Sequence, residues 1–174
     1  RCVTGFTQCV LPCSIRQAEV LITTLRRASR FLSPPQMFSV SNRTVNVAGA
    51  IPDFNAVTNL TIANLGVYNC GRLVMTNSRS SPGVPVAFTT RTLRADNANS
   101  LLDLSTLTNF AGGTAGYASV QFRAYSGGHI ELPGVTSVPV SYLDAYPDGT
   151  GSLVNLSTLV PTPRSGSLFE PSNG

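Results

Sequence analysis

Apolar and polar side chains alternate along much of this chain. In residues 117–149, Val120 and Phe122 alternate with Ser119, Gln121 and Arg123, and Val138, Val140 and Tyr142 alternate with Ser137, Pro139 and Ser141. A period of two places one face in a core and the other in water, so two half-buried strands are predicted here. The same period recurs at Val45 and Val47, at Leu73 and Met75, and at Val84, Val86 and Phe88, where Pro85 marks an edge strand. Leu60, Ile62 and Leu65 form a further apolar run, and residues 151–158 a last strand in which Leu153 and Val154 face opposite ways. Residues 77–83, NSRSSPG, have the composition of a turn. The stretch 96–109 is ambiguous and is read as a loop with a short helix over 100–107. No internal repeat is evident. Many short strands separated by turn signals predict a mostly β fold, a β-sandwich or jelly roll.

One helix is expected near the N-terminus. Ser14 and Gln17 form a capping box, and Ile15, Ala18, Ile22 and Leu25 recur at helical spacing. Arg26, Arg27 and Arg30 fall in the last turns, where cations suit the helix dipole, and Pro34-Pro35 ends the run. Val20, Ile22, Thr23 and Thr24 are β-branched, which keeps a strand open as the alternative. Ahead of it, residues 1–13 carry apolar groups on both faces of an extended segment. Val3, Phe6, Val10 and Leu11 therefore call for cover, from this domain or from the sheet edge of a neighbouring copy. Three parts follow: 1–37, a disulfide-anchored segment plus helix; 38–160, the β-sandwich domain; and 161–174, a Pro/Ser/Gly-rich tail with too little apolar surface to fold alone.

Composition narrows the class. Charged residues make up 11% of the chain, against about 25% in an average soluble domain. The polar surface is therefore Ser, Thr, Asn and Gly, which favours extracellular β-proteins over a cytosolic helical enzyme. All 12 basic residues are Arg, and the net charge of +4 is dispersed apart from the Arg26, Arg27, Arg30 cluster. No concentrated basic stripe points to nucleic acid. No apolar stretch reaches the roughly 20 residues of a membrane helix, and no signal peptide is recognisable, as expected of a mature or trimmed chain.

Cys2, Cys9, Cys13 and Cys70 fit no strong zinc pattern, and their even number predicts two disulfides in an oxidising compartment, with the pairing open. Asn42, Asn59 and Asn155 each begin an N-x-S/T sequon, so N-linked glycans are expected. Catalytic chemistry is poorly supplied. His129, the sole histidine, lies two residues from Glu131 and near Ser126, but no G-x-S-x-G elbow accompanies them. No catalytic residue is assigned and no enzyme is expected. Asp144 and Asp148 form a calcium-like acidic turn without the EF-hand spacing, and Pro147-Asp148-Gly149 accounts for it as a β-turn. No other metal or cofactor is expected. Tyr125, Tyr142 and Tyr146 are candidates for stacking on sugars or for sheet packing.

Around Tyr142-Leu143-Asp144, in the last third of the chain, the sequence resembles extracellular β-sandwich domains of algal and protist surface glycoproteins. In those, an apolar strand ends in a (Y/F)-L-D signature before a Gly-rich turn. Tyr146 stands where the pattern carries a second Asp. The resemblance implies a secreted, glycosylated, structural or adhesive domain and carries over no catalytic residue. The composition is also similar to small viral coat jelly rolls.

The expected function is that of a non-enzymatic extracellular structural glycoprotein that assembles with copies of itself, by strand contacts into a fibril. A viral coat protein and a carbohydrate-binding module are the alternatives. Expected partners are further copies and glycans, with no nucleic acid and no membrane span.

Overall fold

The predicted alternation is present, but the strands that carry it pair in parallel. The computed structural model describes residues 19–24, 39–49, 51, 54–81, 90–111, 118–138, 141–160 and 168–169. Within these, thirteen strands and no helix are found. They are β1 Glu19–Thr24, β2 Ser39–Ala48, β3 Asn59–Tyr68, β4 Arg72–Val74, β5 Ser80–Ser81, β6 Thr90–Asp96 and β7 Leu101–Asp103. There follow β8 Asn109–Phe110, β9 Ala118–Tyr125, β10 His129–Glu131, β11 Ser141–Asp148, β12 Leu153–Asn155 and β13 Leu168–Phe169.

A long sheet runs β1-β2-β3-β6-β9-β11-β13, and a short sheet runs β12-β10-β7-β4. Apart from the antiparallel pair β1 and β2, every ladder is parallel. From β3 onward each long strand is followed by a tight turn and a short strand, and the next long-sheet strand pairs with it in parallel. Each such circuit is one coil of a β-solenoid, stacked at about 4.8 Å on the next. The first half of β3 pairs with β5 and its second half with β6, so β3 turns a corner between two sides of the coil.

The core is built of columns, one residue per coil. Val45, Leu65, Leu93, Phe122 and Ala145 are in register along the long sheet. Leu73, Leu102, Ile130 and Val154 are in register along the short one. All but Val154 are buried. A third column lies at the turns after β7, β10 and β12 and at the matching turn before β3, where Leu107, Val135, Leu159 and Val57 donate their N–H to the carbonyls of Leu104, Leu132, Leu156 and Phe54. The internal repeat missed in the sequence is therefore real. It is visible in Asp103-Leu104-Ser105, Glu131-Leu132-Pro133 and Asn155-Leu156-Ser157, but the coils differ in length and few identities survive.

The tight turn at the other end of each long strand also recurs. Asn69 and Cys70, then Asn97 and Asn99, then Ser126 and Gly127, then Gly149 and Gly151 take positive φ. Asn and Gly are the residues that enter this region at least cost. Between coils, hydroxyls complete the backbone. Ser78 Oγ donates to Val57 O, Ser81 Oγ to Leu60 O, Thr108 Oγ1 to Arg79 O and Thr158 Oγ1 to Pro133 O. A solenoid held this way uses Ser and Thr where other folds use ion pairs, which explains the low charge content.

Several expectations change here. The chain is mostly β, as read, but the sandwich or jelly roll assumed antiparallel neighbours. Clean alternation usually marks an antiparallel sheet with one wet face. In this solenoid the parallel sheet is wet on its outer face, so alternation and parallel pairing coexist. Of the expected helix, residues 19–24 form strand β1, the β-branched alternative; the rest of that stretch lies outside the described residues. No helix occurs over 100–107, where β7 and a turn lead toward β8. Tyr142 does not share the core with Val138: it lies on the outer face, while Leu143 and Ala145 point inward. Among the described residues no helix is long and apolar enough to cross a membrane.

Candidate ligand-binding face

The outer face of the long sheet gathers the charged and aromatic residues that the core excludes. Parity decides which they are. Residues in β6 and β9 alternate strictly, so Thr92, Arg94 and Asp96 and then Gln121, Arg123 and Tyr125 all point outward. Register then aligns them across coils. Gly66, Arg94, Arg123 and Tyr146 form one row, and Tyr68, Asp96, Tyr125 and Asp148 the next. Asn64, a residue ahead of the β3–β6 ladder, closes it with its side chain: Oδ1 accepts the Thr92 N–H at 2.8 Å.

Two cation–aromatic–carboxylate sets result. The Arg94 guanidinium lies 5.5 Å from the Tyr68 ring centre and 4.9 Å from that of Tyr125, bridging tyrosines two coils apart. Its Nη2 is 2.5 Å from Asp96 Oδ2. That hydrogen bond is the chief reason the Arg94 pKa is raised above its ordinary value. Arg123 donates to Asp144 Oδ2 and lies 5.4 Å from the centre of the Tyr146 ring. Tyr125 and Tyr146 join the two sets, with ring centres 6.1 Å apart. Tyr68 occupies space left by Gly66, where a Cβ would collide with the Tyr68 ring and hydroxyl and with Asn46 Oδ1. The rings are thereby packed onto the sheet, half-buried, beside Arg and Asp groups fixed in orientation.

Of the sugar-stacking candidates, Tyr125 and Tyr146 are in contact, and Tyr142 sits on the same side of β11. Tyr68, Arg94, Asp96 and Arg123 were not singled out in the sequence. Their signal was the repeated Leu93-Arg94-Ala95-Asp96 and Phe122-Arg123-Ala124-Tyr125, which becomes legible only once strands 29 residues apart are known to be in register.

The other candidates disperse. His129 and Glu131 do share the outer side of β10, but His129 Nε2 bonds the Gly151 carbonyl at 2.9 Å and Glu131 Oε2 accepts from Asn155 Nδ2 at 2.5 Å. Each reaches the next coil rather than the other, and Ser126 is held in the tight turn, its N–H on Asp148 O. Asp144 pairs with Arg123, and the Asp148 carbonyl accepts from Ser126 N and Ser152 Oγ. Among the described residues no three His, Cys, Asp or Glu side chains gather around one point. Cys70 is disulfide-bonded. Cys2, Cys9 and Cys13, the assembly candidates Val3, Phe6, Val10 and Leu11, and Arg26, Arg27 and Arg30 lie outside the described residues. Asn42 and Asn59 lie on β2 and β3. Asn155 bridges to Glu131, and its Oδ1 accepts the Ser157 N–H.

Arg91 is the other residue sequence reasoning passed over. It takes an inward position on β6 and is 2% exposed. Its Nη1 donates to Ala111 O at 2.7 Å, and its Nη2 donates to Ser81 Oγ at 2.7 Å. The guanidinium lies 4.6 Å from the Phe110 ring centre. Burial lowers its pKa to about 10.

Fold and face together define a parallel β-solenoid with a flat aromatic and polar surface. No family model, curated protein or solved structure matches the chain.

Proposed function

We propose that the protein is a non-enzymatic extracellular structural glycoprotein that assembles with copies of itself through the last described coil of its solenoid. The observation that carries this reading is the last described coil. Val154, Leu156 and Leu159 continue columns whose preceding members, Ile130, Leu132 and Val135, are completely buried, yet they retain exposure themselves. Beside them Leu153 is 40% and Val160 65% exposed. Coils of a solenoid bury their apolar columns only against neighbours, so the partly exposed apolar groups of this last described coil call for cover. Among the described strands of the short sheet β12 is an edge, with backbone groups on one side open to pairing. At the other end of the long sheet the antiparallel β1 interrupts the parallel series, which favours two copies meeting through the same end. The disulfide at Cys70 and the scarcity of charge support an oxidising, extracellular setting.

The test is sedimentation velocity over a wide dilution series, with Leu153→Lys and Val160→Lys as the disrupting pair. Both positions are exposed, so the fold should survive. A concentration-dependent dimer in the parent that becomes monomer in the variant is expected. A monomer at every concentration refutes the reading. Electron microscopy then separates isolated pairs from fibrils, the latter requiring a second contact such as the one expected from Val3, Phe6, Val10 and Leu11.

A further inference from the structure

We propose that the outer face of the long sheet, centred on Tyr68, Arg94, Tyr125, Arg123 and Tyr146, binds an uncharged glycan chain laid across the coils. The face carries what such a ligand requires and little that another would use. A sugar presents apolar C–H patches and, around its rim, hydroxyls that both donate and accept. Tyrosine rings offer apolar faces with a polar tip. Arg94 and Arg123 supply forked donors, and Asp96, Asp144 and Asp148 supply acceptors. In the row Tyr68, Asp96, Tyr125 and Asp148 aromatic and carboxylate groups alternate from coil to coil at the strand spacing, along a line perpendicular to the strands, and the neighbouring row adds Arg94, Arg123 and Tyr146.

Charge decides among the occupants. Two arginines stand against three aspartates, and both arginines are already paired with carboxylates. A phosphate or sulfate polyanion would meet a net negative surface with no free cation among these residues. An apolar peptide or helix would find no aliphatic patch here, because Leu93, Phe122, Leu143 and Ala145 all point inward. Side chains held by ion pairs and ring contacts lose little entropy on binding, which suits a weak ligand contacted at many points.

The test is titration of the folded chain with neutral hexasaccharides, β-1,4-linked glucose, β-1,4-linked N-acetylglucosamine and α-1,4-linked glucose, followed by tyrosine fluorescence and amide NMR shifts. The chain has no Trp, so the tyrosine signal is unobscured. At least one hexasaccharide should bind, with shifts confined to β3, β6, β9 and β11. Tyr146→Ala and Arg94→Gln should each weaken it tenfold or more while circular dichroism and the unfolding midpoint stay near those of the parent. Should Arg94→Gln unfold the chain, Tyr146→Phe, which keeps the ring and removes the hydroxyl, should weaken binding by a few-fold only. Three results overturn the proposal: no saturable shift with any hexasaccharide, shifts located elsewhere, or binding indifferent to Tyr146→Ala. A dimer abolished by Tyr146→Ala, without sugar binding, would instead assign the face to a second copy. This test is independent of the end-to-end assembly, which uses different residues.

Discussion

Replacing Arg91 tests whether a buried cation can be neutral to the stability of a solenoid. Its pKa, lowered by burial to about 10, corresponds to about 3 kcal/mol of cost for holding the charge in the core. Opposing it are two short hydrogen bonds from a charged donor, each contributing about 1.5–3 kcal/mol, and the contact with Phe110, about 1–2 kcal/mol when desolvated. Arg91 Nε, buried without a hydrogen-bond partner, adds about 1–3 kcal/mol to the cost. The two sides, about 4–6 against about 4–8 kcal/mol, then come close to cancelling, so what a substitution removes matters less than what it leaves behind. Both variants deprive the Ala111 carbonyl and the Ser81 hydroxyl of their donor. Arg91→Ala leaves a large void as well and should cost about 3–5 kcal/mol, whereas Arg91→Met fills most of the space and relieves the buried charge, and should cost at least about 1.5 kcal/mol less than Arg91→Ala. Urea unfolding at pH 7, with unchanged m-values, measures both. The alkaline limb adds a signature with a definite sign. A base whose folded pKa is depressed to about 10 binds fewer protons folded than unfolded from about pH 10 up to the ordinary guanidinium range, so its contribution to stability rises with pH in that window. The parent should gain on Arg91→Met there. Equal losses in the Ala and Met variants at pH 7, or a parent that declines relative to Met above pH 10, would refute the reasoning.

Three further outcomes are expected. Ser78→Ala removes a hydroxyl that is 0% exposed and bonded to Val57 O at 2.6 Å, and should cost about 1–3 kcal/mol in the same unfolding assay. Gly128→Ala would set a Cβ against the Ala95 carbonyl and 2.9 Å from Asp96 N; because that is backbone of the adjacent coil, a loss of about 1–3 kcal/mol and a lowered melting midpoint are expected. On expression through a eukaryotic secretory pathway, Asn155→Gln should remove one glycosidase-sensitive mass increment, with mass spectrometry as the readout; an unchanged glycan profile would show that the sequon is not used.

Local alternation was read correctly along several strands, though not at Tyr142 or over 100–107, where a helix was expected. Alternation at 44–47, 72–76 and 119–123 identifies the inward residues Val45, Val47, Leu73, Met75, Val120 and Phe122, because a strand's two faces are set by parity alone. The scarcity of charge and the abundance of Ser, Thr and Asn likewise announce an unusual polar surface. Parity is silent about what lies beside a strand. A period of two is the same whether the neighbour runs parallel or antiparallel, so the sandwich and the solenoid share one pattern. The choice between them rests on pairings such as Leu93 with Phe122, 29 residues apart, and those are made by stacking rather than by sequence neighbours.

The same division holds for the candidate site. Tyr125 and Tyr146 attracted notice as aromatics near turns, and the structure places them in contact. Tyr68, Arg94, Asp96 and Arg123 belong with them only because four coils bring positions 68, 94–96, 123–125 and 144–146 onto one face. Arg91 shows the limit of parity most plainly. Its alternation marks it as inward, its charge marks it as outward, and the conflict is resolved by acceptors at residues 81 and 111 that only the folded coils bring within reach. Composition and periodicity thus determined that this chain forms half-buried strands with a hydroxyl-rich surface. Tertiary structure decided which strands meet, and therefore which side chains share a face, because register between distant segments is a property of the stacked coils and of no single one.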